Sequence, residues 1–193
     1  SSANKARVLV EKIINSLKIV CLSISPRASF PEMDSAAKDV AKKLQALKVA
    51  DPQKVKELNL VFPPAPKPAG VYRPVLIVDN FLYVSGQGPV KNDGTLMQGR
   101  VGDDLTKEQG KLAARQVGLT MLSSIQTHFG DLDKIKRVIK VFGMVNCSPE
   151  FKKHPFVING FSELMADVFG DDNGIGVKTI IAFPIKRESI TKN

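Results

Sequence analysis

The chain has 193 residues, 43% of them hydrophobic, and a net charge of +9. That length buries one sizeable core with an appendage and would cramp two full domains, while the basic balance suits an acidic neighbour (nucleic acid, an anionic membrane surface or an acidic protein face) or a solvated lysine-rich surface. Cys21 and Cys147 stand far apart in no Cys-x-x-Cys spacing, which argues against a disulfide framework or a structural zinc site, and the apolar run at 19–24 falls well short of the roughly 18 residues of a membrane helix.

Residues 1–50 are basic and rich in Ala and Lys. Val8, Ile13, Leu17 and Val20 share one helical face and Val40, Leu44 and Leu47 another, so two helices are predicted, divided by Pro26 and Pro31. Glu11 is the only acid before Glu32, among Lys5, Arg7, Lys12, Lys18 and Arg27. Such composition resembles the region at or just after a mitochondrial targeting sequence and sets the expected localisation as mitochondrial, with a cytoplasmic one as the alternative.

Residues 51–70 form a second unit. Asp51-Pro52 reads as an N-cap followed by proline at the first helical position, opening a short helix through Leu58. The Phe62-Pro63-Pro64-Ala65-Pro66-Lys67-Pro68 run must then be extended, as a polyproline-like strap.

The core domain is placed at 71–193. Two short strands, 75–78 and 81–84, flank Asp79-Asn80, a pair that tolerates the positive φ of a hairpin turn, and Lys91-Asn92-Asp93-Gly94 is a second turn. Thr106 and Gln109 make a capping box for a helix whose stripe is Leu112, Leu119, Leu122, Ile125 and Phe129, stopped by Gly130. Residues 138–145 are apolar on both faces, as an inner strand would be. Ser148-Pro149-Glu150 is expected to start a second helix, with the stripe Val157, Phe161, Leu164, Met165 and Val168 ending at Gly170. Residues 177–183 read as a strand and 185–190 as a further one. The order ββαβαβ(β) predicts an α+β sheet with both helices on one face.

At the end of the second strand, Ser85-Gly86-Gln87 leaves a hydroxyl and exposed backbone N–H groups at a rim where a small anion can sit. With Val71-Tyr72-Arg73-Pro74, Gly99-Arg100-Val101-Gly102, Gly130-Asp131-Leu132-Asp133-Lys134-Ile135, Val145-Asn146-Cys147 and Val157-Ile158-Asn159-Gly160, it forms an ordered pattern over roughly 52–182. This pattern resembles the Rid/YjgF family, the reactive-intermediate deaminases also described as endoribonuclease L-PSP. The resemblance implies a chorismate-mutase-like fold and trimers whose sheets line a central barrel-like core. It also implies a cleft between subunits where imines or enamines derived from amino acids are hydrolysed. There an arginine pairs with the substrate carboxylate and a late glutamate places the attacking water.

The family arginine falls on Lys178 in Val177-Lys178-Thr179, so the charge is kept and the bidentate fork is lost. Glu188 is the one acid available for the water, in a C-terminal stretch too short and basic to match the family's last strand. Tyr72, Ser85, Gly86, Gln87 and Asn159 match the pocket. No cofactor and no metal site is implied: His128, His154 and the two cysteines form no ligand set.

Three functions compete. The first is a trimer-forming subunit with an eroded site, non-catalytic, acting as a structural or ligand-binding part of a mitochondrial assembly that residues 1–50 engage. Its trimer is homo- or heteromeric, and its ligand a small carboxylate. The second is a 2-iminobutanoate/2-iminopropanoate-type deaminase working through Lys178. The third, RNA binding or cleavage, is the least supported, since the chain has no Trp and only two Tyr for base stacking.

Overall fold

The computed structural model describes the backbone of residues 18–26 and, in full, residue 55 and residues 57–183. Among these, the strands and the two long helices in chain order are β1 (Lys18–Pro26), β2 (Val75–Val78), β3 (Phe81–Val84), α1 (Lys107–His128), β4 (Ile135–Asn146), α2 (His154–Phe169) and β5 (Val177–Phe183), with short helical turns at Leu132–Lys134 and Asp171–Gly174. They build a five-stranded sheet in the order β2-β3-β1-β4-β5. β4 and β5 run parallel, and the other neighbouring strands are antiparallel.

The hairpin forms as its sequence dictates. Val75 pairs with Val84 and Val78 with Phe81, and Asp79 takes φ 51° in the turn. Period-two alternation then sorts the side chains of β3. Leu82 is 1% exposed under the helices, whereas Phe81 on the other face is 41% exposed. Upstream, Val55 and Glu57 are helical, and Asn59 at φ 48° closes that turn with Leu60 N donating to Val55 O at 3.1 Å. The proline strap has no regular structure and is fixed by Ser123 Oγ donating to Pro63 O at 2.6 Å.

α1 starts on the complete capping box, with Thr106 accepting from Gln109 N and the Gln109 side chain accepting from Thr106 N. Of the expected stripe, Leu122 and Ile125 are fully buried and Leu119 and Phe129 pack against the core, but Leu112 is 62% exposed, and Gly110, Ala113, Ala114, Val117, Gly118 and Met121 are buried as well. Small residues win these positions because α2 comes within backbone distance. A Cβ on Gly160 would stand 2.0 Å from Lys111 O. Gly110 meets Val157 and Gly118 meets Leu164, so the two helices run parallel. The α2 stripe of Val157, Phe161, Leu164, Met165 and Val168 is buried as its spacing predicts.

Two expectations need correction. α2 begins at His154 rather than near Ser148, with Pro155 in its first turn. Ser148 N is held by Val101 O at 2.9 Å, which keeps the chain extended past the strand end. The larger correction is at Lys18–Pro26, within the predicted helical extension: this segment is a strand, and it lies at the centre of the sheet between β3 and β4. Val20, assigned to a helical face, pairs with Phe142 of β4. The reason is legible afterwards. Ile19, Val20 and Ile24 are β-branched, and Val20, Leu22 and Ile24 alternate with Cys21, Ser23 and Ser25. The other predicted extension positions (Val8, Ile13, Leu17, Val40, Leu44, Leu47), the Asp51-Pro52 cap, the 185–190 strand and Glu188 lie outside the described residues.

Candidate functional site

The rim at the end of β3 is tied to the segment before β2. Ser85 N donates to Pro74 O at 2.9 Å, and Ser85 Oγ donates to Arg73 O at 2.6 Å. Gly86 is exposed beside it. Gln87 turns inward and is only 4% exposed, its Nε2 donating to Ser85 O at 3.3 Å and its Oε1 accepting from Ser124 Oγ at 3.3 Å. Gln87 therefore braces the rim against α1, and Ser85 with Gly86 forms the accessible part. Tyr72 lies exposed just upstream, its hydroxyl accepting from Ala69 N at 3.2 Å.

A second group forms on the opposite edge of the sheet. Lys178 of β5 pairs with Val141 of β4, a core residue, which puts Lys178 on the helix side. Its Nζ donates to Asn159 Oδ1 at 2.9 Å and to Ser162 Oγ at 3.3 Å. Burial pushes the Lys178 ammonium below the ordinary lysine range, and the nearby Glu163 carboxylate opposes that shift. Glu163 itself pairs with Lys111 at 2.8 Å, and Asp167 with Arg115 at 3.2 Å.

The structure thus brings Lys178 to Asn159 and keeps both apart from Tyr72, Ser85 and Gly86. From β3 to β5 the sheet steps across β1 and β4. At about 4.8 Å per step the two groups stand roughly 14 Å apart, too far to grip one small molecule. Ser162 was missed by the sequence reading, although its i+3 spacing from Asn159 on one helix was a usable signal.

A third cluster also escaped notice. Cys147 Sγ lies 3.3 Å from His154 Nε2, and Phe151 stacks edge-on against the His154 ring at 5.3 Å. Cys147 is 1% exposed, and burial raises its thiol pKa, partly offset by the Arg100 guanidinium and reinforced by Asp103. Arg100 pairs with Asp103 at 2.7 Å. A buried, protonated thiol is a poor nucleophile, so this cluster reads as packing. Among the described residues no group of three or more His, Cys, Asp or Glu could hold a metal ion, and no helix is long and apolar enough to cross a membrane.

Strand order and the pair of parallel helices define the class, an α+β fold on the chorismate-mutase-like plan. Residues 54–188 match the family model described as "YjgF/chorismate_mutase-like, putative endoribonuclease", and the chain belongs to that family. Its curated relatives include Protein TCP17 of Trypanosoma cruzi, 39% identical over 120 residues, which span 62% of this chain and 75% of that protein. Among solved structures, a Shewanella oneidensis protein with the same endoribonuclease label superposes with a TM-score of 0.65 at 29% identity, covering 69% of this chain and 88% of that one. An Agrobacterium tumefaciens protein of unknown function gives 0.61 at 33% identity, covering 74% and 87%.

Proposed function

We propose that this chain is a trimer-forming subunit whose cleft holds a small carboxylate without efficient turnover, a structural or ligand-binding part of a mitochondrial assembly. The observation that carries the reading is the state of Lys178. It stands where the resemblance puts an arginine, and two of its N–H groups are already taken by Asn159 and Ser162. A lysine in that position holds a carboxylate as a point charge, with no fork to fix its plane.

Assembly is supported by the separation of the two half-sites. Ser85 follows β3 and Tyr72 precedes the edge strand β2, whereas Lys178 lies on the other edge strand, β5, so a closed cleft calls for the β3 rim of one copy beside the β5 edge of the next. The exposed apolar face of the sheet provides the surface on which such copies meet. YjgF family proteins are typically trimers.

Weak imine hydrolysis is the second reading, favoured by the retained positive charge and by Asn159 beside it. Loss of orientation alone costs on the order of a hundredfold in rate. Imine decay in a coupled amino-acid-oxidase assay separates the two: barely accelerated decay is expected, and a rate typical of an intact deaminase overturns the non-catalytic reading. A metal-free ribonuclease fits less well. His154 opens α2 near the start of α1, and His128 ends α1 roughly 30 Å away at 1.5 Å per residue, so the two imidazoles cannot act as an acid–base pair.

A further inference from the structure

We infer that the exposed ridge of the proline strap, formed by Val61, Pro64 and Lys67, is a docking edge for a partner protein with an aromatic-lined groove and an acidic rim. The ridge is separate from the Lys178 group, which lies against α2, and the strap is tied to α1 on the helix side of the sheet, so the inference stands apart from the function proposed above.

Stereochemistry fixes the shape of the strap before any contact is made. Every residue from Phe62 to Pro68 is either a proline or stands immediately before one. Proline holds φ at about −65°, and the residue ahead of it is pushed out of the helical region, so the whole run is confined to the extended polyproline conformation. That conformation turns once in about three residues and makes no internal hydrogen bonds. Burial repeats at the same spacing: Val61, Pro64 and Lys67 are exposed, Pro63 is buried with Pro66 half-buried below it, and Phe62 and Ala65 are half-buried between the two edges.

The inner edge is anchored, since Phe62 packs against the core and Ser123 Oγ donates to Pro63 O. A free proline-rich peptide gives up chain entropy when it binds, and a strap already held straight on α1 has little left to lose. The outer edge is unengaged. Among the described residues no hydrogen bond reaches the carbonyl groups of residues 64–68, so the ridge presents acceptors and, at its prolines, no donors. Tyrosine hydroxyls and indole N–H groups match those acceptors while their rings pack on proline, which is the chemistry of an aromatic-lined groove. Val61, 63% exposed, extends the apolar ridge. Lys67 is the one charged residue in the run from Leu60 to Pro68 and has no ion-pair partner among the described residues, so its ammonium sets the sign of the rim it meets.

Calorimetric titration of the full-length chain tests this, with purified peptide-reading domains that take proline-rich ligands in an aromatic-lined groove. One set carries acidic side chains at the groove rim and a second set basic ones. Saturable binding is expected from the acidic set alone. Lys67→Glu and Pro64→Ala should each weaken it about tenfold, the first by reversing the charge and the second by removing the central contact of the ridge. Both side chains are exposed, so the thermal melting of each variant should match the parent. Changing a rim acid of the bound domain to lysine should restore its binding to the Lys67→Glu chain. No binding by either set, equal binding by both, or binding that survives both substitutions overturns the inference.

Discussion

On the helix-backed face of the sheet Leu82, Val84, Val141 and Val145 are buried, whereas on the opposite face Leu76, Val78, Phe81, Tyr83 and Ile181 stand exposed. The two sets are chemically alike and alternate along the same strands. What separates them is cover: α1 and α2 close one side, and no described element closes the other. A two-layer domain needs one apolar face per sheet, and a second apolar face is a demand for another layer. The described elements complete the first layer and leave the second face for the neighbour that the proposed trimer supplies, the same division that the proposal makes of the candidate site between β3 and β5.

The strongest way to break this comparison is to remove a strand that both faces share. Deleting residues 1–26 takes out β1, leaving β3 and β4 with open edges at the centre of the sheet. Folding stability of a domain is about 5–15 kcal/mol in total, and loss of a central strand exceeds what such a margin can absorb. The expected outcome is no cooperative transition by circular dichroism. A deletion variant that melts like the full chain would show the N-terminal segment to be a dispensable appendage.

The next test sets two α-helical positions against each other. Phe161 is fully buried between α1 and α2, and its truncation to Ala should cost about 3–5 kcal/mol in urea unfolding. Leu112→Ala, on the solvent side of α1, should stay within about 0.5 kcal/mol. Equal costs would mean that the helix face assigned to the core is wrong.

The uncovered face predicts the reverse pattern. Tyr83→Glu should leave the monomer's fold within about 1 kcal/mol of the parent, because the side chain contacts solvent on one side already. Sedimentation equilibrium should show a trimer for the parent and a monomer for the variant. A trimer that survives the charge would move the interface elsewhere, and the proposed meeting of the β3 rim with the β5 edge with it.

The parts of this fold that were legible in the sequence are those fixed by neighbours along the chain. The Asp79-Asn80 turn, the Thr106–Gln109 box and the α2 stripe each depend on residues within a few positions, and each is found where the pattern places it. The strand at Lys18–Pro26 depends on edges supplied more than fifty residues later, so its two-residue period competed with an apolar spacing that also fits a helix. Leu112 departs from its stripe because closeness outranks hydrophobicity where α2 presses in, and Gly110 and Gly118 take the contact. Within the candidate site, Lys178 and Asn159 came from family resemblance, while Ser162 needed only helical spacing. The Cys147–His154 contact was hidden by the misplaced start of α2, since with a helix from Ser148 the two side chains would not have been read as neighbours.

That contact gives the smallest expected effect. In the unfolded chain the Cys147 thiol ionises near pH 8.5, and in the folded protein burial holds it protonated to higher pH. Above the unfolded value the unfolded state has released its proton and the folded state has not, so stability present below that pH is lost as pH rises toward the folded value. Arg100 favours the thiolate and limits the effect, and Asp103 works the other way. Comparing the parent with Cys147→Ala cancels the lysines and tyrosines that titrate in both. The parent should be the more stable at pH 7, since the thiol fills its site and touches His154. Its advantage in urea unfolding should shrink by less than about 1 kcal/mol between pH 7 and pH 9.5. A gap that stays constant across that window would mean the thiol is no less free to ionise in the fold than in the unfolded chain, and would place Cys147 within reach of solvent on the uncovered side of the comparison rather than in the layer that the helices close.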